Sequence, residues 1–273
     1  DRGLTDEQML RIARELNNSE TAFMFETDSP DYNIEVRFFT PTTEVPICGH
    51  ATIAAHYVRA KERNMEGGTV VQKTKAGILP VEVVRTLSDY SITMTQGTPA
   101  VSAPFGDAVR ERIADALGIA HEELCREYPV AVASTGHSKV MVPLYSNELL
   151  HGLRPDLQKL TKISKQIECN GYYVFTLNPQ NKILVHGRMF APAIGIAEDP
   201  VTGNANGPLG AYLVHFNILQ EEDAPCFDFD ILQGEAIKRD GTMHVHVEKE
   251  HGAPKLVQIT GNAVIAFSTE ITI

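Results

Sequence analysis

Cysteine is scarce: four residues in 273 (Cys48, Cys125, Cys169 and Cys226), with no C-x-x-C spacing. That pattern argues against zinc-finger and disulfide-scaffold classes. No apolar run approaches the ~18 residues of a membrane span, and no charged-then-apolar leader opens the sequence. A reducing, cytoplasmic setting is the expectation. Positive charge is in deficit, with 24 Lys and Arg against 35 Asp and Glu and a formal net charge of −11. A nucleic-acid or anionic-membrane partner needs a basic face, so both are disfavoured, although a locally positive pocket can still take a small anion. The G-x-G-x-x-G, P-loop and G-x-S-x-G patterns are absent, and His121-Glu122-Glu123 does not complete H-E-x-x-H. Dinucleotide, nucleotide, serine-hydrolase and zincin chemistries therefore lack their motifs.

What is present is ordinary globular material, 43% hydrophobic and 22% charged, enough for one large domain or two medium ones. The spacing predicts a helix over 4–17, opened by a Thr5/Gln8 capping box, with Met9, Ile12, Ala13 and Leu16 on one face. Strands are expected at 22–25 and 32–40, where Tyr32, Ile34, Val36 and Phe38 alternate with polar residues. A helix over 49–59 follows the loop bracketed by Pro41 and Pro46, then strands at 70–72, 78–84 and 90–95. The Gly97-Thr98-Pro99 break reads as a domain crossing. After it come a helix at 107–117, strands at 130–133 and 139–143, a helix at 155–167, strands at 172–176 and 183–190, and a helix begun at Gly203. The tail, 226–273, reads as strand-rich, with Val245, Val247, Val257, Ile259, Val264 and Ile265 among its apolar positions. Helix, strands, Gly-led helix, strands thus runs twice, a duplicated α+β pattern rather than a series of βαβ units.

Both Gly-led helices start from polar loops, Cys48-Gly49-His50 and Asp199-Pro200-Val201-Thr202-Gly203-Asn204. The first turn of a helix carries unpaired N–H groups and partial positive charge, so each start is a ready anion site. Cys48 and His50 offer a thiol and an imidazole there; equally, they read as a buried small residue and a capping histidine. Asp199 suits an acid/base role and Asn204 a cap; equally, both merely cap and Asp199-Pro200 merely turns. Ser134-Thr135-Gly136-His137 reads as a substrate contact or as a strand-connecting turn. Glu20, between a helix and a strand, reads locally as a solvated loop acid. His244 and His246, at i and i+2 with His186 as a candidate third, lack a carboxylate or Cys at matched spacing and read as surface histidines.

Together, Cys48-Gly49-His50-Ala51-Thr52 and Glu198-Asp199-Pro200-Val201-Thr202-Gly203-Asn204-Ala205 resemble the PhzF family, named for phenazine biosynthesis. Phe38-Phe39-Thr40-Pro41, Arg188-Met189-Phe190, Ile12-Ala13-Arg14-Glu15 and Ser19-Glu20-Thr21 agree with it, over essentially the whole chain and closest to a YddE-like bacterial subgroup. The resemblance implies a diaminopimelate epimerase-like α+β fold with two pseudo-symmetric domains, each a sheet around a central helix, and a site in the cleft between them. The expected domains are 1–100 plus 262–273, and 101–261. It also implies a cofactor-free isomerase, without a metal, that moves a proton on a small carboxylate-bearing, amino acid-like substrate. Carried over, Glu20 is the acid/base, with His50 and Asp199 as its polar partners. Cys48, Gly49, Gly203, Asn204, Ala205, Gly136 and His137 would contact substrate, in a homodimer. Enclosure of Glu20 is expected to raise its pKa.

The sequence departs from the family at Asn204, where Ser is frequent, and at its start, where a strand and a Gly-Asn loop ordinarily precede the first helix; that first strand is expected to be missing. Two rival readings stand beside the isomerase. Ile47-Cys48-Gly49-His50-Ala51-Thr52-Ile53 is also similar to the first active-site motif of proline racemases and hydroxyproline dehydratases. Thr202 at the place of a second thiol disfavours two-thiol racemisation but leaves a one-base, Cys48-dependent reaction open. The other rival is a non-catalytic small-molecule binding protein.

Overall fold

A computed structural model of the chain describes residues 3–219 and 224–271. It divides into two units, Asp1–Thr95 with Thr260–Ile273, and Gln96–Ile259.

The first unit opens with α1 (Asp6–Leu16), whose start is fixed by reciprocal capping. Thr5 Oγ1 accepts from the Gln8 N–H at 3.3 Å, and Gln8 Oε1 accepts from the Thr5 N–H at 2.8 Å. The helix ends at Asn17 in the left-handed region and buries Met9 and Ala13 against Phe39 and Phe23. Then come β1 (Thr21–Glu26), β2 (Ile34–Phe39), β3 (Glu44–Val45), α2 (Gly49–Arg63), β4 (Gly68–Thr74), β5 (Gly77–Arg85) and β6 (Tyr90–Thr95). The sheet order is β1-β2-β4-β5-β6, with β3 on β2. Ile34, Val36 and Phe38 are buried at alternate positions of β2, as the sequence pattern requires, while Tyr32 precedes the strand. Helix α2 lies against β6, β1 and β5 and buries Ala51, Thr52, Ile53, His56, Tyr57 and Ala60.

The second unit contains β7 (Ala100–Val101), α3 (Asp107–Leu117), β8 (Ala131–Ser134), β9 (Lys139–Pro143), α4 (Asn147–Gly152), α5 (Leu157–Ile167), β10 (Tyr172–Leu177), β11 (Ile183–Ala191), β12 (Ile196–Asp199), α6 (Gly203–His215), β13 (Cys226–Gln233), β14 (Gly241–Glu250) and β15 (Ala253–Gly261). Its strand order is β15-β14-β13-β11-β10-β9-β8-β7, with β12 on β11. Leu117, Leu124, Val142, Leu150, Leu160, Tyr172 and Phe190 belong to one core here. Helix α6 lies on β14, β8, β7, β9 and β13 and is buried along nearly all its length, as a helix made mostly of small and apolar residues requires. Gly210 permits this approach, because a Cβ there would come within 2.8 Å of both Val245 and Val247.

The short strands β3, β7 and β12 were not expected from the sequence, and two larger features differ as well. The short α4 was not expected; its signal is Ser146, whose Oγ accepts from the Leu149 N–H at 3.3 Å. The strand-rich tail ends at Gly261. Val264 and Ile265 lie beyond the last strand, 88% and 44% exposed, so their β-like composition finds no ladder; residues 272–273 fall outside the described residues.

A buried ion pair fastens the second unit. Arg188 on β11 makes a fork to Glu198 on β12 at 2.9 and 2.8 Å and donates to the carbonyls of Leu150 and Leu153 at the end of α4. Their side chains are only 6% and 13% exposed. Arg188→Leu leaves the Glu198 carboxylate buried without its counter-charge, at an expected cost of about 3–5 kcal/mol in urea unfolding. An unchanged midpoint would refute this account of the pair.

Candidate active site

In the first unit, the end of α1 and the start of α2 bring three chemical groups together. Glu20 stands in the short link between Asn17, which stops α1, and Thr21, which opens β1. Cys48 is the extended N-cap of α2 and contributes no side-chain cap bond, so the first-turn N–H groups keep their anion-binding capacity. His50 is the second residue of α2, in its first turn, with Nε2 at 3.1 Å from Glu20 Oε2 and 3.3 Å from Ser19 Oγ. Cys48 Sγ is 3.6 Å from His50 Nδ1 and 3.7 Å from Nε2. Glu20 Oε2 is shielded from solvent and receives no aligned hydrogen bond, despite its ion-pair distance to His50. Glu20 and His50 also line a cavity of about 370 Å³ whose other walls are Asn18, Thr21, Ala22, Met24, Ala51, Ala54, Ala55 and Val58. A polar corner in a largely apolar pocket is the form of a small-molecule site. One ligand atom each from Glu20, Cys48 and His50 falls within a 4.8 Å cluster, so the same set has metal-binding capacity.

The electrostatics correct one expectation. Glu20 is not pushed up by enclosure: the His50 imidazole 3.1 Å away holds its carboxyl below the ordinary 4.5, outweighing the opposing effect of burial. Burial works against the charged form of His50, yet Cys48 and Glu20 together raise its imidazole to about 10. The resting pair at neutral pH is therefore carboxylate and imidazolium. Nor is Glu20 the solvated acid its local sequence implies, since its side chain is 20% exposed.

In the second unit, Asp199 ends β12 and the chain enters α6 through Pro200, Val201 and Thr202. Thr202 is the N-cap, without a side-chain cap bond. Asn204 lies inside the helix and is not the cap expected of it. Three amides, buried Gln233 and Asn206 and half-buried Gln96, hold this loop instead. Gln233 Nε2 donates to the Asp199 carbonyl at 2.7 Å, and Gln233 Oε1 accepts from Asn206 Nδ2 at 2.9 Å and from the Thr202 N–H at 3.4 Å. Asn206 Nδ2 also donates to the Thr202 carbonyl, and Gln96 Nε2 donates to the Gly203 carbonyl. Gly203 and Ala205 are buried in the start of α6.

Gly136 and His137 lie in the turn between β8 and β9, where Gly136 has φ 115° and its N–H donates to Ser134 Oγ. Just beyond, Lys139 is 3% exposed and its Nζ donates to the Ser138 carbonyl. Burial lowers its pKa, opposed by the electrostatic influence of nearby Cys169 and Asp199. Burial, helped by Lys139, also lowers that of His137.

The structure thus groups Glu20, Cys48, Gly49 and His50 in one unit, and places Asp199, Gly203, Asn204, Ala205, Gly136 and His137 in the other. Lys139, Gln96, Asn206 and Gln233 escaped the sequence reading. A lysine heading the apolar run Val140-Met141-Val142 and an asparagine inside a small-residue helix were the available signals. His186 does not join His244 and His246; its partner is Glu235, whereas the other two meet Asp230 and Asp228 on the neighbouring strand.

The shifts set a pH window. Glu20, depressed, contributes stability above about pH 4.5 that is lost as pH falls through its lower folded value; His50, raised, contributes below about 6.5 and loses it on rising through about 10. NMR titration should find the His50 ring doubly protonated until pH approaches 10, and its midpoint should fall in Glu20→Gln. A midpoint near 6.5 in the unaltered protein would contradict the coupling.

Comparison with known proteins identifies the family of the chain. Residues 1–269 match the family described as phenazine biosynthesis-like protein, PhzC-PhzF. An uncharacterized isomerase of Clostridium acetobutylicum is 53% identical over 99% of this chain and 90% of its own. The trans-2,3-dihydro-3-hydroxyanthranilate isomerase of Pseudomonas chlororaphis is 29% identical over 96% and 87%. The crystal structure of a PhzF-family protein from Bacillus anthracis superposes with a TM-score of 0.85 at 31% identity, covering 96% of this chain and 87% of that one. The fold is the α+β, diaminopimelate epimerase-like one. The chain belongs to the phenazine biosynthesis-like family, PhzC-PhzF, and is an isomerase.

Proposed function

We propose that the reaction is a cofactor-independent proton relocation on a small, carboxylate-bearing, amino acid-like molecule, with Glu20 as the acid/base. The supporting observation is the shielded Oε2 of Glu20, free of an aligned hydrogen-bond donor, on a cavity it shares with His50. As a carboxylate, Glu20 takes a proton from a substrate carbon, and the electron pair left behind delocalises into an adjacent unsaturated system. The carboxylic acid then returns the proton to a second carbon, so the molecule keeps its formula and Glu20 is regenerated. His50, cationic, and the N–H groups at the start of α2 stabilise the negative charge between the two steps.

Asp199 we assign as a supporting polar group. The start of α6 at Gly203, Asn204 and Ala205, with Gly136, His137 and the buried ammonium of Lys139, suits a carboxylate. The printed substrate of the Pseudomonas relative, a cyclic amino acid, is of the same class. A cytoplasmic setting fits four cysteines that are all free thiols and would be refuted by fractionation to another compartment. A homodimer would cover the exposed Val264, Phe267 and Ile271; a single-chain mass by light scattering would exclude it.

One observation keeps a second chemistry in view. Cys48 Sγ contacts the same imidazole as Glu20, which is the geometry of a Cys48-dependent one-base reaction. Turnover of trans-2,3-dihydro-3-hydroxyanthranilate and a panel of cyclic amino acid-like carboxylates separates the two. Glu20→Gln is expected to lower kcat by about 10²–10⁴-fold, while Cys48→Ser stays within about tenfold. The opposite ranking would transfer the proton to Cys48. Binding of a panel member without turnover would favour neither proton carrier and would return the case to a ligand-binding role.

A further inference from the structure

A separate cluster lies in the second unit, formed by residues distant in sequence. His151 is in the last turn of α4, His186 is in β11, and Glu235 opens a single 3-10 turn (Glu235–Ile237) after β13. Glu235 Oε2 is 2.7 Å from His186 Nδ1 and 3.3 Å from His151 Nε2, and the three atoms lie within 4.8 Å of one another. The side chains are 13%, 37% and 27% exposed for His186, His151 and Glu235. They are therefore recessed but reachable by solutes.

We infer that His151, His186 and Glu235 form a binding site for a divalent transition-metal ion, with Zn²⁺ the ion best suited to two imidazoles and one carboxylate. Ligand atoms about 2.1 Å from a common ion stand roughly 3.0–3.5 Å apart, depending on coordination geometry. The 3.3 Å separation already falls in that range, and the 2.7 Å one reaches it by a small opening of the His186–Glu235 contact. Three protein ligands leave a further position for water.

The ligands stand on backbone that is already fixed. Arg188, two residues along β11 from His186, donates to the carbonyls of Leu150 and Leu153 on either side of His151. Glu235 follows Gly234, whose φ is +93° and where a Cβ would meet the Arg239 carbonyl oxygen at 2.3 Å and the Pro200 carbonyl oxygen at 2.8 Å. That turn therefore presents Glu235 in one direction. The residue before Gly234 is Gln233, which holds the Asp199 carbonyl and the Thr202 N–H. An ion here ties α4 and β11 to the segment that orders the approach to α6, and so braces that loop rather than joining the chemistry at Glu20.

The histidines of β14 provide the control. His246 and Cys226 surround Asp228 on the pairing of β13 with β14 and, like Glu20, Cys48 and His50, form a further cluster with donor atoms within 4.8 Å of one another. The full chain, freed of metal by chelator and dialysis, is titrated with Zn²⁺ by calorimetry and with Co²⁺ by visible absorption in excess Mg²⁺. The expected result is one equivalent bound in both the unaltered protein and Cys226→Ser/His246→Asn, with a rise in Tm on adding Zn²⁺. His151→Asn/His186→Asn should lose that equivalent and the Tm rise. Glu235→Gln, nearly isosteric and able to keep the turn folded, should weaken binding at least about tenfold by removing the anionic ligand. No stoichiometric binding to the unaltered protein would overturn the site. So would binding that survives both the double histidine variant and Glu235→Gln, or that is lost only in Cys226→Ser/His246→Asn.

Discussion

A helix enclosed by its own sheet must satisfy the polar groups at its ends as well as bury its sides, and this requirement shapes both units. Water is not at hand to pair every first-turn N–H group, and an unpaired one is costly in a buried setting. At α6 the approach to the helix is pinned by Gln233, Asn206 and Gln96, whose amides saturate loop carbonyls and each other. Neither Thr202 nor Cys48 caps its helix with a side chain, so capacity for an anion remains at both starts. Substitutions that disturb these amides would move the loop before they altered any reacting group.

The charges around His50 follow from the same architecture. The stop of α1 at Asn17 places Glu20 beside the first turn of α2, where a carboxylate meets an imidazole with a thiol on its other side. Burial alone would neutralise both partners, raising the acid and lowering the base. Their proximity reverses each tendency, and the resulting ion pair keeps Glu20 as a carboxylate, the form in which the proposed reaction begins. That order matters chemically: a neutral Glu20 would have to donate before it could accept.

Much of the fold was legible because its signals are local. The Thr5/Gln8 capping box, the alternation of Ile34, Val36 and Phe38, and the extent of Asp107–Leu117 all follow from short-range rules. The duplicated order of elements was visible too. The brief α4 carried too few residues for a period, and the end of the ladder at Gly261 depends on which strand stands alongside, which composition does not encode. Among the candidate residues, Cys48, His50 and Asp199 stood out because they lie in the loops that lead into the two Gly-led helices. Glu20 was singled out only through family resemblance, because its burial is created by elements on both sides of it. Lys139, Gln233 and Asn206 show the same limit: a polar residue in an apolar stretch signals that a partner exists, but only the packed chain says which one.

The central claim is that one carboxylate removes and returns the same proton. The most direct measurement uses a substrate deuterated at the carbon that loses its hydrogen, turned over in ordinary water and read by NMR or mass spectrometry of the product. A single-carboxylate shuttle predicts that a measurable share of the deuterium reappears at the second carbon. Product carrying only solvent hydrogen there at the earliest times, with equal washout at low and high conversion, would contradict it.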